Sequence, residues 1–237
     1  MQRENIIVAQ GAKELGQDLP PRAAAEFETY RELLETHGKN VNLTALTDGG
    51  DIARLHFLDS LALRGAADFK GARVIDVGSG AGFPGVPLKI AEPSMSLTLL
   101  DAAMKRVRFL EELCDTLRLQ ADCLHGRAEE LGHDAVHRES YDIAVSRAVA
   151  WLSVLCELCL PLVKVGGVMI AMKAEECDDE LLGAWRAIEK LGAVQEQCFQ
   201  YTIPGTDIIR RAIVIRKISP TPEKYPRRFA KIMREPL

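Results

Sequence analysis

The stretch VIDVGSGAGFPGVPLKI, Val74 to Ile90, decides how this chain is read. Its apolar start, Val74–Val77, reads as a strand that stops at a loop holding Gly78, Gly80, Gly82 and Gly85. A strand that turns at once into a helix needs backbone angles that side chains disfavour. Glycine supplies them and lets the backbone approach a ligand closely. The helix that follows, Pro84–Ala91, aims its free N–H groups at the same space. The loop therefore predicts a small electropositive cradle for a nucleotide-like ligand.

The pattern to either side fixes the fold. Beyond Gly71 short apolar strands alternate with helices. The strands are Val74–Val77, Leu97–Asp101, Cys123–His125, Tyr141–Ser146 and Val168–Lys173, and Ala193–Tyr201 and Ala212–Lys217 form a final antiparallel pair around IPGTD. Pro84–Ala91, Lys105–Leu117, Trp151–Val163 and Asp178–Leu191 are the intervening helices. Such alternation predicts an α/β fold, a mostly parallel sheet of seven strands with helices on both faces. Its ligand lies beyond the carboxyl ends of the strands, where the winding reverses. Ahead of it, Arg22–Thr36 and Asp51–Ala66 read as helices, the first with Phe27, Tyr30 and Leu34 on one side. The expected organisation is a helical extension over residues 1–70, a ligand-binding domain over 71–217 and a basic tail over 218–237.

The glycine spacing fits two ligands. Gly80, Gly82 and Gly85 satisfy GxGxxG, the dinucleotide signature. Asp76, Gly78, Gly80 and Gly82 satisfy D-x-G-x-G-x-G, the form seen in methyltransferases that use S-adenosylmethionine. Two details favour the second. A carboxylate at Asp76 suits a ligand with an ammonium and a sulfonium better than a pyrophosphate of its own sign. Pro84 also removes a donor that a pyrophosphate would use. Asp101, at the end of the second strand, can accept from both ribose hydroxyls or cap the helix after it. In GRAEEL, Ala128 and Glu129 would flank an adenine, though AEEL is equally an ordinary helix start. In SRAVA, Arg147 stands at the rim of the pocket and needs a partner, either a ligand anion or an internal acid.

Composition narrows the class. The chain has 237 residues, 47% hydrophobic and 27% charged, enough to bury a sizeable core. It has no apolar run long enough to span a bilayer and no signal-peptide pattern, so a cytosolic location is expected. The CxxC of Cys156 and Cys159 lies in an apolar helical run with no second pair, and reads as two buried, inert thiols rather than a metal site. The net charge of −4 hides an asymmetry: Arg210–Leu237 carries +7 and the remainder −11. Concentrated positive charge is what a phosphate backbone attracts, and a solvated tail would look the same.

Taken in order and spacing, VIDVGSGAGFPGVPLKI, LLDAAMKRVRFLEEL, GRAEEL and SRAVA resemble the bacterial 16S ribosomal RNA guanine-N7 methyltransferase G family. The stretches NVNLTALTD…HFLDSLAL and TPEKYPRR…REPL resemble it as well, so the likeness runs from about Val41 to Leu237. It departs from the family's pattern in the tail, at RRFAKIM. The resemblance implies a class I, Rossmann-like fold with an N-terminal helical extension, S-adenosylmethionine as cofactor and a guanine of small-subunit ribosomal RNA as substrate, either as RNA or in the subunit. It implies that Gly78 and Phe83 contact the cofactor at the loop and that Asp101 lies near its ribose. Ala128 and Glu129 would line the adenine side, and Arg147 would complete the site as cofactor-binding and catalytic residue. A monomer without membrane attachment is expected. Methyl transfer to another substrate, nicotinamide-dependent redox chemistry and non-catalytic RNA binding are the alternatives.

Overall fold

The computed structural model describes residues 3–41, 48–147 and 149–237. Seven strands form one sheet: β1 (Arg73–Val77), β2 (Ser96–Asp101), β3 (Ala121–His125), β4 (Tyr141–Arg147), β5 (Val163–Ala174), β6 (Ala193–Thr202) and β7 (Ile209–Lys217). Their order is β3-β2-β1-β4-β5-β7-β6. The pairs among β1 to β5 are parallel, and β7 runs antiparallel to both β5 and β6. The winding reverses between β1 and β4, which places the opening of the sheet at the glycine loop.

The strands are apolar because both faces are covered. In β1 only Arg73 is exposed. Side chains alternate between faces along a strand. Val74 joins Leu97, Leu99, Ile143, Val145 and Ile170 in one apolar cluster, while Ile75 and Val77 join Leu100, Ala144, Met169 and Ala171 in the other. The first cluster is completed by α5 (Gly85–Ala91), α6 (Met104–Leu117) and two N-terminal helices, α1 (Arg3–Glu14) and α2 (Ala23–Val41). Phe27, Tyr30 and Leu34 of α2 are all buried, as their spacing predicts. The second cluster is covered by α8 (Leu152–Cys159) and α9 (Asp178–Lys190).

Several local readings change. The helix α1 was not expected. Its buried side is Val8, Gly11 and Ala12, and a Cβ on Gly11 would stand 2.3 Å from Leu58 Cδ1, so the small residue permits a close helix contact. The expected helix over 51–66 is a composite: α3 (Gly49–Ile52), a π-helical turn (Ala53–Leu58), α4 (Asp59–Leu61) and a 3-10 turn (Ala62–Gly65). The helix expected at Trp151–Val163 ends at Cys159 and tightens into a 3-10 turn, Leu160–Leu162. Pro161 in that turn has no N–H with which to continue an α-helix. Asn42–Thr47 and Ala148, parts of the motifs NVNLTALTD and SRAVA, lie outside the described residues.

The C-terminal segment packs on the body. It ends in α10 (Phe229–Arg234), with Thr221, Tyr225 and Ile232 buried. Arg138 donates to the carbonyls of Thr221 (2.7 Å) and Tyr225 (2.9 Å). Arg227 forks onto Glu157 of α8, which is 0% exposed. Lys217 of β7 is also fully buried; its ammonium donates to Leu160 O (2.8 Å), Thr221 Oγ1 (2.6 Å) and Glu139 Oε1 (3.0 Å). Arg211, Arg216 and Arg234 are paired with Asp178, Glu196 and Glu235. Much of the basic charge counted in the sequence is therefore matched inside the fold.

Candidate active site

The glycine loop is held from three sides. Ser79 Oγ donates to Asp76 O (2.9 Å), and Gly78 N donates to Leu100 O (2.8 Å), tying the loop to β2. From α2, Tyr30 Oη donates to Ala81 O (2.6 Å). Gly82 makes that approach possible: its φ is +101°, and an added Cβ would lie 2.6 Å from Tyr30 Oη. At Gly78 (φ +76°) an added Cβ would meet Val149 Cγ2 at 2.6 Å, so the loop after β4 closes against it.

Asp76 lies beneath this loop with 0% exposure. Its Oδ2 accepts from Gly85 N (2.8 Å), while its Oδ1 is buried without a partner among the described residues. Burial pushes its carboxyl up to about 7, against the Gly85 hydrogen bond and the field of Arg147. A buried acceptor left unpaired is costly, and near a binding loop it marks a place where positive charge is wanted. Asp76 itself has no exposed surface.

Asp101, also buried, ends β2 alongside. Its Oδ1 accepts from Ala103 N (2.8 Å) and its Oδ2 from Gly80 N (3.0 Å), with Arg106 Nη1 at 3.5 Å. It fixes the turn leading into α6, whose N-cap is Ala103 with no side-chain cap, rather than capping the helix as the sequence allowed, and it braces the glycine loop, which the sequence did not suggest. A carboxylate can accept further donors beyond these two. At the next strand end, Gly126 N donates to Asp101 O (3.2 Å). This brings the short helix α7 (Ala128–Leu131) to the same rim, with Ala128 buried and the Glu129 carboxylate 3.9 Å from Arg127.

Arg147, at the end of β4, is held by the N-terminal helices. Its Nη1 donates to Asp59 Oδ2 (3.2 Å) and Leu55 O (3.3 Å), and its Nη2 lies 3.2 Å from His56 Nδ1. The guanidinium stands 4.7 Å over the Phe83 ring. Burial and Arg147 together lower His56 to about 4, so its imidazole is neutral, with Nδ1 placed between Leu55 O (3.0 Å) and the Arg147 guanidinium. Asp59 also accepts from Tyr201 Oη (2.8 Å) through Oδ1; burial holds its carboxyl above the usual range, opposed by Arg147 and Tyr201. Asp59 and His56, one helical turn apart, share Arg147 as their partner. Phe83 is buried, its ring stacked on Tyr30 at 5.3 Å between centroids and tilted against His56 at 4.5 Å. Trp151, just before α8, is 67% exposed.

The structure thus gathers Gly78, Phe83, Asp101 and Arg147 at the carboxyl ends of adjacent strands, with Ala128 and Glu129 after β3. Sequence reasoning missed the parts that Tyr30, Asp59 and Tyr201 play around the glycine loop and Arg147. The signal for Asp59 was HFLDS, with His56 and Asp59 one helical turn apart. On the other side of β4, a cleft of about 540 Å³ is lined by His56, Asp59, Arg147, Met172, Lys173 and Glu180, among others. Cys156 and Cys159 are fully buried thiols, the latter pushed up to about 12 by burial. No helix among the described residues is long and apolar enough to cross a membrane.

A seven-stranded sheet of this order, with a glycine loop after β1 and an acid ending β2, defines a class I, Rossmann-like methyltransferase fold. The solved structure of a SAM-dependent methyltransferase from Aquifex aeolicus superposes with a TM-score of 0.54 at 15% identity, over 73% of this chain and 96% of that one. The family model described as rRNA small subunit methyltransferase G matches residues 23–208. Ribosomal RNA small subunit methyltransferase G of Alkaliphilus oremlandii is 45% identical over 98% of both chains. Its counterpart in Lachnoclostridium phytofermentans is 43% identical over 99% of this chain and 98% of its own. The chain belongs to the rRNA small subunit methyltransferase G family.

Proposed function

We propose that this protein transfers the methyl group of S-adenosyl-L-methionine to N7 of a guanine in 16S, small-subunit ribosomal RNA. The observation that carries methyl transfer is the unpartnered, buried carboxylate oxygen of Asp76 beneath the glycine loop. A dinucleotide would bring its pyrophosphate against that charge, whereas a sulfonium and an ammonium are attracted by it. Family membership supports the RNA substrate.

The residues fit the cofactor. Gly78 and Phe83 would bound it at the loop, Asp101 would meet the ribose hydroxyls, and Ala128 and Glu129 would flank the adenine. The cofactor supplies an electrophilic methyl on positive sulfur. Guanine N7 offers a lone pair and carries no proton, so no general base is required. His56 matches this, since it is neutral and already engaged with Arg147. The protein's task is to align nitrogen, methyl and sulfur. Arg147 spans both halves of the site, lying against Phe83 of the loop and lining the cleft. Its pairing with Asp59 offsets its charge, which would otherwise oppose the cation formed on the methylated base.

The test is transfer of labelled methyl from S-adenosylmethionine to small-subunit RNA, bare and in subunits, from cells lacking this gene. The product is mapped by cleavage at N7-methylguanine. Label at one guanine is expected. Label on no RNA, or at an atom other than N7, overturns the proposal.

A further inference from the structure

A cleft opens on the side of β4 that the glycine loop does not occupy, with room for an acceptor base. There the cleft is walled by Arg147 of β4, by Met172, Lys173 and Ala174 at the end of β5, and by Glu180 of α9. Glu180 is fixed through one oxygen. Its Oε2 accepts from Leu152 N (2.9 Å) and from Lys173 Nζ (2.5 Å). Its Oε1 makes no hydrogen bond among the described residues, and the side chain is 23% exposed. Lys173 Nζ also donates to Ala150 O (2.8 Å), which uses two of an ammonium's three protons. The pair therefore presents a free acceptor beside a free donor.

Guanine's Watson–Crick edge is the complement: N1–H and N2–H₂ donate, and O6 accepts. Adenine presents the opposite pattern, an acceptor at N1 beside a donor at N6, and would set like against like. A purine held by its N1–N2 edge also turns its five-membered ring, and so N7, away from α9 and back toward β4. We infer that Glu180, held by Lys173, is the residue that reads the target guanine, its carboxylate accepting from N1–H and N2–H₂ while Lys173 donates to O6. This rests on the function proposed above. Trp151, exposed at the same rim and adjacent to Leu152, suits a neighbouring unstacked nucleotide.

A structural role alone would make Glu180 a cap for α8 and a counter-ion for Lys173, with no bearing on which base reacts. Inosine separates the two roles, because it keeps N7, N1–H and O6 and lacks only the 2-amino group. Small-subunit RNA ligated to carry guanine or inosine at the target position, bare and reconstituted into subunits, is methylated by the wild type, by Glu180→Ala and by Glu180→Gln. The ratio of kcat/KM for guanine over inosine is independent of the folded fraction in a preparation. The wild type is expected to favour guanine by roughly ten- to a hundredfold, the worth of a hydrogen bond to a charged acceptor. The variants are expected to fall to within a few-fold of unity. Glu180→Gln keeps an acceptor for Leu152 N–H, so it reports even where the alanine variant unfolds. A wild type that accepts inosine as readily as guanine overturns the inference before any variant is made. Variants that keep the wild-type ratio overturn it as well. Absence of transfer to the guanine RNA by the wild type would remove the proposed function, and this inference with it.

Discussion

The raised carboxyl of Asp76 predicts that cofactor binding is coupled to release of a proton. Its carboxyl is raised to about 7 from an ordinary 3.8 because it is buried with one oxygen unpartnered. The folded chain thus holds this proton more tightly than the unfolded one. Stability is greatest below the unfolded value near 3.8 and is lost as pH rises to about 7. Three units correspond to roughly 4 kcal/mol at and above neutrality. A cationic ligand within a few ångströms lowers such a carboxyl by about 1–3 units. Binding of S-adenosylmethionine should then release about half a proton at pH 7 and about a tenth at pH 8, and about 0.8–0.9 near pH 6 where the shift is two to three units. Calorimetry in buffers of different ionisation enthalpy measures that number directly. Asp76→Asn keeps an acceptor for Gly85 N and has no proton to release, so its difference from the wild type isolates Asp76. The variant should bind the cofactor more weakly and lose the acid-to-neutral decline in stability. Equal heats across buffers at pH 6 to 7 in the wild type, or release unchanged in the variant, would refute the reasoning.

Gly82→Ala forces a side chain into a positive-φ position facing Tyr30 Oη, and should cost about 1–3 kcal/mol in denaturant unfolding while weakening cofactor binding. Arg227→Ala strands the Glu157 carboxylate, which is 0% exposed, and should cost about 3–5 kcal/mol, read as a lowered unfolding midpoint. Asp59→Asn combined with Arg147→Ala removes both charges of the internal pair. It should leave thermal unfolding close to that of Asp59→Asn alone and lower methyl transfer about a hundredfold, the penalty for misplacing a reacting group.

What the sequence disclosed, and what it hid, follows from the range of each interaction. The glycine loop, the apolar strands and Asp101 were legible because their meaning is local. A strand buried on both faces is a continuous apolar run, and a turn at positive φ selects glycine wherever it occurs. The supports of the site are distant pairings. Tyr30 reaches Ala81 across 51 positions, Tyr201 reaches Asp59 across 142, and Arg227 reaches Glu157 across 70. No periodicity encodes such a pair. Charge counting is blind to the same pairings. The +7 of Arg210–Leu237 left phosphate contacts and a solvated tail both open, and within it Lys217 and Arg227 are committed to Glu139 and Glu157 inside the fold. A cation already matched by a buried acid gains little from a phosphate, since binding RNA would first break that pair. The electrostatic footprint of the RNA is therefore to be sought at cations with no ion pair among the described residues. Arg210, which lines the acceptor cleft, is one, followed by Lys224, Arg228 and Lys231 on the packed tail and Lys105 and Arg108 on α6.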